Sequence, residues 1–267
     1  MTRAPRPALA DPEPASRLRA MASDGTGLHA EVHGPAGDGV PAVVLIHGWT
    51  GSVRVWAPVI RLLRGELRVI AYDQRGHGGS DPPGAAGCGT GVLADDLEAV
   101  LAAALPPGTP AVLAGHSMGA MAIMAAADRP AVRSRASAVL LASTGCARLS
   151  DEALIFPFPR APWLAAAARR LFFTFPGPLG KVTPASRALL SYATLGPAAP
   201  PELASVNADI IHACDRRTRA AWGRVLASLD LSHTLAHLDM PARVLVGSAD
   251  RLTPPAGARR LAGRLPH

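Results

Sequence analysis

Short segments rich in apolar, β-prone residues recur along the chain at 28–32, 42–46, 68–72, 111–114, 137–142 and 242–246, and helical spacing fills most of the gaps between them. A strand that is apolar along its whole length is buried on both faces, which parallel strands achieve beneath crossover helices. The pattern predicts an α/β fold, a mostly parallel sheet flanked by helices. The rhythm breaks over 146–215, where prolines separate short helical pieces before a strand returns at Ala242. The expected organisation is a disordered leader over 1–16, a core over 17–145 and 216–267, and a helical lid over 146–215.

A chain of 267 residues that is 49% hydrophobic can bury one large core with a modest insertion. The net charge of +7 comes from scattered arginines, Lys181 being the sole lysine. No basic stripe interleaved with aromatics occurs, so nucleic acid is not an expected partner. Cys88, Cys146 and Cys214 are far apart and lack CxxC spacing, which argues against a disulfide framework or a zinc site and for a reducing, cytoplasmic setting. The leader carries Pro5, Pro7, Pro12 and Pro14 without an apolar h-region, unlike a signal peptide. No segment is long and apolar enough to cross a bilayer, so no stable membrane insertion is expected. No pattern asks for a cofactor or a metal.

All five phenylalanines, Phe156, Phe158, Phe172, Phe173 and Phe175, fall in the lid segment with Trp163 and Tyr192. They can roof a substrate acyl or ring group, pack the lid helices against one another, or do both. The stretch 163–175, with Arg169 and Arg170 among apolar residues, also has the makeup of a membrane-surface contact.

The chemistry centres on Gly115-His116-Ser117-Met118-Gly119, which sets the apolar strand 111–114 against an alanine-rich helix. Glycines two before and two after Ser117 remove Cβ atoms where strand and helix nearly touch, so the serine can hold a strained turn. Acyl transfer through serine also needs a base, an acid that orients it, and donors for the oxyanion. The loop His47-Gly48-Trp49-Thr50-Gly51 follows strand 42–46, and the N–H groups of Trp49 and Met118 are the oxyanion-hole candidates. The acid candidate is Asp250, in a loop at the C-terminal end of strand 242–246, where carboxylates face the crevice. Strand 137–142 ends in Ser143-Thr144-Gly145 without a carboxylate. Asp95 and Asp96 are expected on an exposed helix face or as helix N-terminal charges.

As a set, HGWTG, the segment Asp73-Gln74-Arg75-Gly76-His77-Gly78-Gly79-Ser80, GHSMG and GSADRLTP around Asp250 resemble the α/β-hydrolase superfamily, in particular its serine esterase and lipase-like branch with a helical lid. The resemblance covers 17–267. It implies that 73–80 is a structural turn, and that a base histidine follows one further helix and strand after the acid. Residues 255–264 would supply that helix, leaving Leu265, Pro266 and His267 as the approach to the last strand. No general-base histidine is therefore identified, and strand 242–246 is expected as an exposed apolar edge.

The other histidines do not fill the gap. His116 is expected to point away from the site, His47 and His77 to be structural, His29 and His33 to flank an early strand, His233 and His237 to lie at the wrong end of the sheet, and His212 to belong to the lid; His267 is poorly held. The expected activity is hydrolysis of a small apolar ester or acyl substrate through an acyl-enzyme on Ser117, slowed by the missing base. A ligand-binding or sensor protein of the same fold is the alternative. Perhydrolase or cofactor-free haloperoxidase, C–C hydrolase and lactonase chemistry would use the same serine machinery.

Overall fold

The computed structural model describes residues 10–37, 39–156 and 162–266. Among these described residues seven strands form one sheet: β1 (Ser16–Met21), β2 (Gly27–His33), β3 (Ala42–Ile46), β4 (Arg68–Tyr72), β5 (Ala111–His116), β6 (Ala136–Ala142) and β7 (Ala242–Leu245), in the order β1-β2-β4-β3-β5-β6-β7. β2 is antiparallel to β1 and β4, and all other pairs are parallel. Among the described residues ten α-helices connect them: α1 (Ala57–Leu63), α2 (Thr90–Ala104), α3 (Met118–Ala125), α4 (Pro130–Arg133), α5 (Leu149–Glu152), α6 (Pro162–Thr174), α7 (Pro184–Thr194), α8 (Pro201–Ala213), α9 (Arg216–Ser228) and α10 (Pro255–Ala262).

Every residue of β3 is buried, and the strand's period of two divides it between two cores. Ala42, Val44 and Ile46 pack into the larger core with α2 and α3, whereas Val43 and Leu45 enter the smaller core with Val53 and Ile60. α3 is apolar all round and almost wholly buried, as a helix enclosed by protein must be.

β1 was not expected from the apolar pattern. It presents Arg17 and Arg19 outward and fully buries only Ala20, the composition of a charged edge strand. Of the leader expected over 1–16, residues 1–9 lie outside the described residues; beyond them Asp11 pairs with Arg54, and Ser16 already begins β1. At the other edge stands β7, where Leu245 is 60% exposed.

The order of strands reverses around β3: the chain passes from β3 to β4 on one side and returns to β5 on the other. Such a reversal opens a crevice at the C-terminal ends of the strands. The loop after β3 and the turn after β5 meet there, Ile46 being in register with Gly115.

Helices α5 to α9 stand between β6 and β7, and α6 packs along α9. Gly223 makes that approach possible, since a Cβ there would lie 1.8 Å from the Phe173 carbonyl oxygen. Beside it Trp222 is fully buried and donates from its indole Nε1 to Arg75 O at 3.2 Å, which ties α9 to the turn after β4.

Candidate functional site

Ser117 joins β5 to α3 with φ 52° and ψ −117°, outside the helical and extended regions. Holding a non-glycine residue there costs of order 1–3 kcal/mol and needs a rigid frame. The frame is visible on both sides. Ser117 N donates to Ala142 O at 2.8 Å, and its carbonyl accepts from Ala120 N and Met121 N. A Cβ on Gly115 would fall 2.3 Å from Ala120 N, so that glycine has no substitute.

The loop after β3 is built just as tightly. Gly48 lies against the elbow, a Cβ there reaching to 2.8 Å from His116 Nδ1 and 3.1 Å from Ser117 Cβ. Thr50 adopts φ 61° and donates its N–H to His77 Nε2 at 3.2 Å. Gln74 N donates to His47 Nε2 at 3.0 Å, so the His47 proton sits on Nδ1 and is given to Gly48 O at 2.7 Å. By the same reasoning His77 carries its proton on Nδ1, facing Arg75 O. Burial pushes these two imidazoles down, His47 to about 4 and His77 to about 3, which keeps both neutral. Asp73 completes the scaffold by accepting from Val53 N at 2.7 Å and Gly79 N at 2.8 Å.

Among the described residues, the N–H groups of Trp49 and Met118 donate to no acceptor. Met118 opens α3, where the first N–H groups have no intrahelical partner. The side chain of Trp49 is fully engaged: Nε1 donates to Arg219 O at 2.9 Å, and the ring stacks on Phe173 with centroids 5.4 Å apart.

Asp250 follows β7 and lines the same cavity as Ser117. Its Oδ1 accepts from Leu252 N at 3.0 Å and Thr253 N at 2.8 Å, and its Oδ2 from Thr253 Oγ1 at 2.9 Å, which fixes the carboxylate's direction. Arg251 beside it stacks over the Tyr192 ring at 4.4 Å and donates to Tyr192 O, joining this loop to α7.

The cavity measures about 440 Å³ and its walls are mostly apolar. Phe156, Phe172, Phe173 and Phe175 form part of the lining, and Phe172 and Phe173 also meet edge to face at 5.6 Å. The lid aromatics thus both pack on one another and wall the cavity. Phe158 lies outside the described residues. Trp163, on the outer side of α6, is 73% exposed.

Two sequence expectations are corrected. His116 is not turned away from the site: β5 continues through it, in register with Ala142, and it lines the cavity together with Ser117. Of the histidines among the described residues, it alone lines the cavity. Asp96 is not on an exposed face but 1% exposed beneath α2, where it takes Arg75 Nε at 2.8 Å and Nη2 at 2.5 Å. Asp95, one residue earlier on the helix, does face outward and pairs with Arg129.

Arg219 was missed altogether. It lines the cavity from α9 at only 6% exposure, one turn before Gly223 on the same helix face. No motif surrounds it, and its position depends on the register of α9 alone.

A serine at a strained strand-to-helix turn, beside a glycine loop at the switch point of an α/β sheet, defines a hydrolase-type site. A family model described as alpha/beta hydrolase fold matches residues 41–267, and the chain belongs to that family. A pimeloyl-(acyl-carrier protein) methyl ester esterase of Xanthomonas campestris pv. campestris is 32% identical over 254 residues, covering 90% of this chain and 87% of its own. Among solved structures, an esterase from Thermogutta terrifontis superposes with a TM-score of 0.73 at 24% identity, covering 94% of this chain and 87% of that one. An enol-lactonase from Burkholderia xenovorans superposes with a TM-score of 0.67 at 22% identity, covering 93% and 88%. These relatives are hydrolases. No helix among the described residues is long and apolar enough to cross a membrane.

Proposed function

We propose that the chain is a carboxylic ester hydrolase working through an acyl-enzyme on Ser117. One observation carries this reading: a serine on a strained elbow opens into a mostly apolar cavity beside two N–H groups that, among the described residues, have no other acceptor. In the reaction the Ser117 hydroxyl oxygen bonds to the acyl carbon while its proton passes to the departing alcohol. The ester C–O bond breaks, and water then releases the acid and restores the serine. The N–H groups of Trp49 and Met118 take the oxyanion of each tetrahedral intermediate. Asp250 is the acid partner, oriented by its bonds within its own loop. His116 is the histidine at the cavity wall. Helices α5 to α8 act as the lid, and a small apolar acyl group suits the walls they supply.

The test combines turnover with labelling. The protein is expected to release p-nitrophenol from a short p-nitrophenyl ester and to gain one fluorophosphonate adduct by mass, with both lost in Ser117→Ala. Labelling at another residue, or p-nitrophenol release that survives the substitution, would overturn the assignment.

A further inference from the structure

Arg219 offers a buried charge that, among the described residues, has no direct ion pair. It is 6% exposed, and among the described residues no carboxylate forms an ion pair with it. Of its five N–H donors, Nη2 is placed on Gly177 O at 2.5 Å. Asp215, the nearest acid in sequence, uses its Oδ1 to cap α9 through Arg217 N and Thr218 N. Burial lowers the Arg219 guanidinium from its ordinary value, and the nearby Cys214 and Asp215 offset this only in part. Arg75 provides the internal contrast: buried as well, it sits between Asp24 and Asp96.

Arg219 also shares a cavity with the proposed nucleophile. It lines the cavity that holds Ser117, and its backbone carbonyl is held by Trp49 of the glycine loop. Among the described lining residues it is the one arginine or lysine, and Asp250 is the one acid, held by its own loop beyond β7. A buried cation at the wall of a mostly apolar cavity is matched by a ligand with one anionic group at the end of an apolar spacer. The planar guanidinium suits a carboxylate, which it can hold in bidentate fashion.

Resting on the ester-hydrolase reading above, we propose that Arg219 is a specificity-determining residue and that the preferred substrate is a half-ester, its scissile bond at Ser117 and a carboxylate at the far end of a short acyl chain. The competing role is structural, the guanidinium serving only to tether Gly177.

The test compares mono-p-nitrophenyl adipate with p-nitrophenyl hexanoate, which share a six-carbon acyl chain and differ in the terminal carboxylate. The ratio of their kcat/KM values is expected to favour the adipate in the native protein, to fall by at least about tenfold in Arg219→Gln, and to recover in part in Arg219→Lys. A ratio that is unchanged when both rates drop together would establish the tether and overturn the proposal. If neither ester shows turnover dependent on Ser117, it is the hydrolase reading that fails. Calorimetric titration of Ser117→Ala with adipate then decides the inference separately: binding lost in Ser117→Ala/Arg219→Gln upholds the anion site, and no binding with Arg219 intact refutes it.

Discussion

Gly119 lies so close beneath Ile46 that a Cβ on the glycine would stand 2.1 Å from the Ile46 carbonyl oxygen. The contact joins the first turn of α3 to the end of β3, and so fixes the Ser117 turn against the loop proposed to supply an oxyanion donor. Gly119→Ala is expected to destabilise the protein by about 3 kcal/mol or more, because backbone rather than a pliable side chain must give way. Urea unfolding measures this, and a loss under 1 kcal/mol would show that the two elements can separate.

His47 and His77 predict a pH dependence of stability. Each is neutral and buried, with folded values of about 4 and about 3 against an ordinary value near 6.5. Protons therefore bind the unfolded chain first: the stabilisation is complete above about pH 6.5 and declines as pH falls towards the folded values. Burial raises the Asp73 and Asp96 carboxyls, which act in the opposite sense. The comparison that isolates the imidazole is Tm against pH for the native protein and His77→Gln, with a flatter curve expected between pH 6.5 and 4 in the variant.

The Arg75–Asp96 pair tests the core directly. Both side chains are 1% exposed, and Asp24 holds the other side of the guanidinium at 2.9 Å. Asp96→Asn leaves a buried charge short of its partner and is expected to cost about 3–5 kcal/mol in chemical denaturation. A cost within the range of surface substitutions would mean that Asp24 alone satisfies Arg75.

Trp49→Phe keeps an aromatic ring on Phe173 but removes the donor to Arg219 O. The expected loss is about 1 kcal/mol of stability, the usual net worth of one such bond. Esterase activity is expected to fall as well, because the N–H assigned to the oxyanion belongs to the same residue. Unaltered turnover would separate the indole's tether from the loop's catalytic geometry.

The strands of the central sheet were legible because β3, β4 and β5 are apolar on both faces, and the elbow because its two glycines stand at fixed offsets from Ser117. Other features left no local trace. β1 carries arginines where apolar alternation would mark a strand, and it depends on β2 for its register. Asp96 reads as surface in a helix that also carries Asp95, and only its pairing with Arg75 from a distant turn places it inside. Arg219 is one arginine in a polar helix start, distinguished solely by which face of α9 meets the cavity. The place of His116 left no mark either, because the cavity wall it joins is assembled from distant segments of the chain.

Gly223 packed on the Phe173 carbonyl holds two helices of the roof together. α6 and α9 are locked backbone to backbone, and α9 is further anchored at Trp222 and Trp49. α7 and α8 are joined to the same frame: Arg251 stacks on Tyr192, Leu252 packs against the buried cluster of Ala153, Ile155 and Ala193, and α8 touches the turn at 53–56 that follows the glycine loop. Cavity wall and Ser117 turn are thereby knit through shared contacts, so reshaping the wall to admit a new ligand carries a cost in the frame behind it.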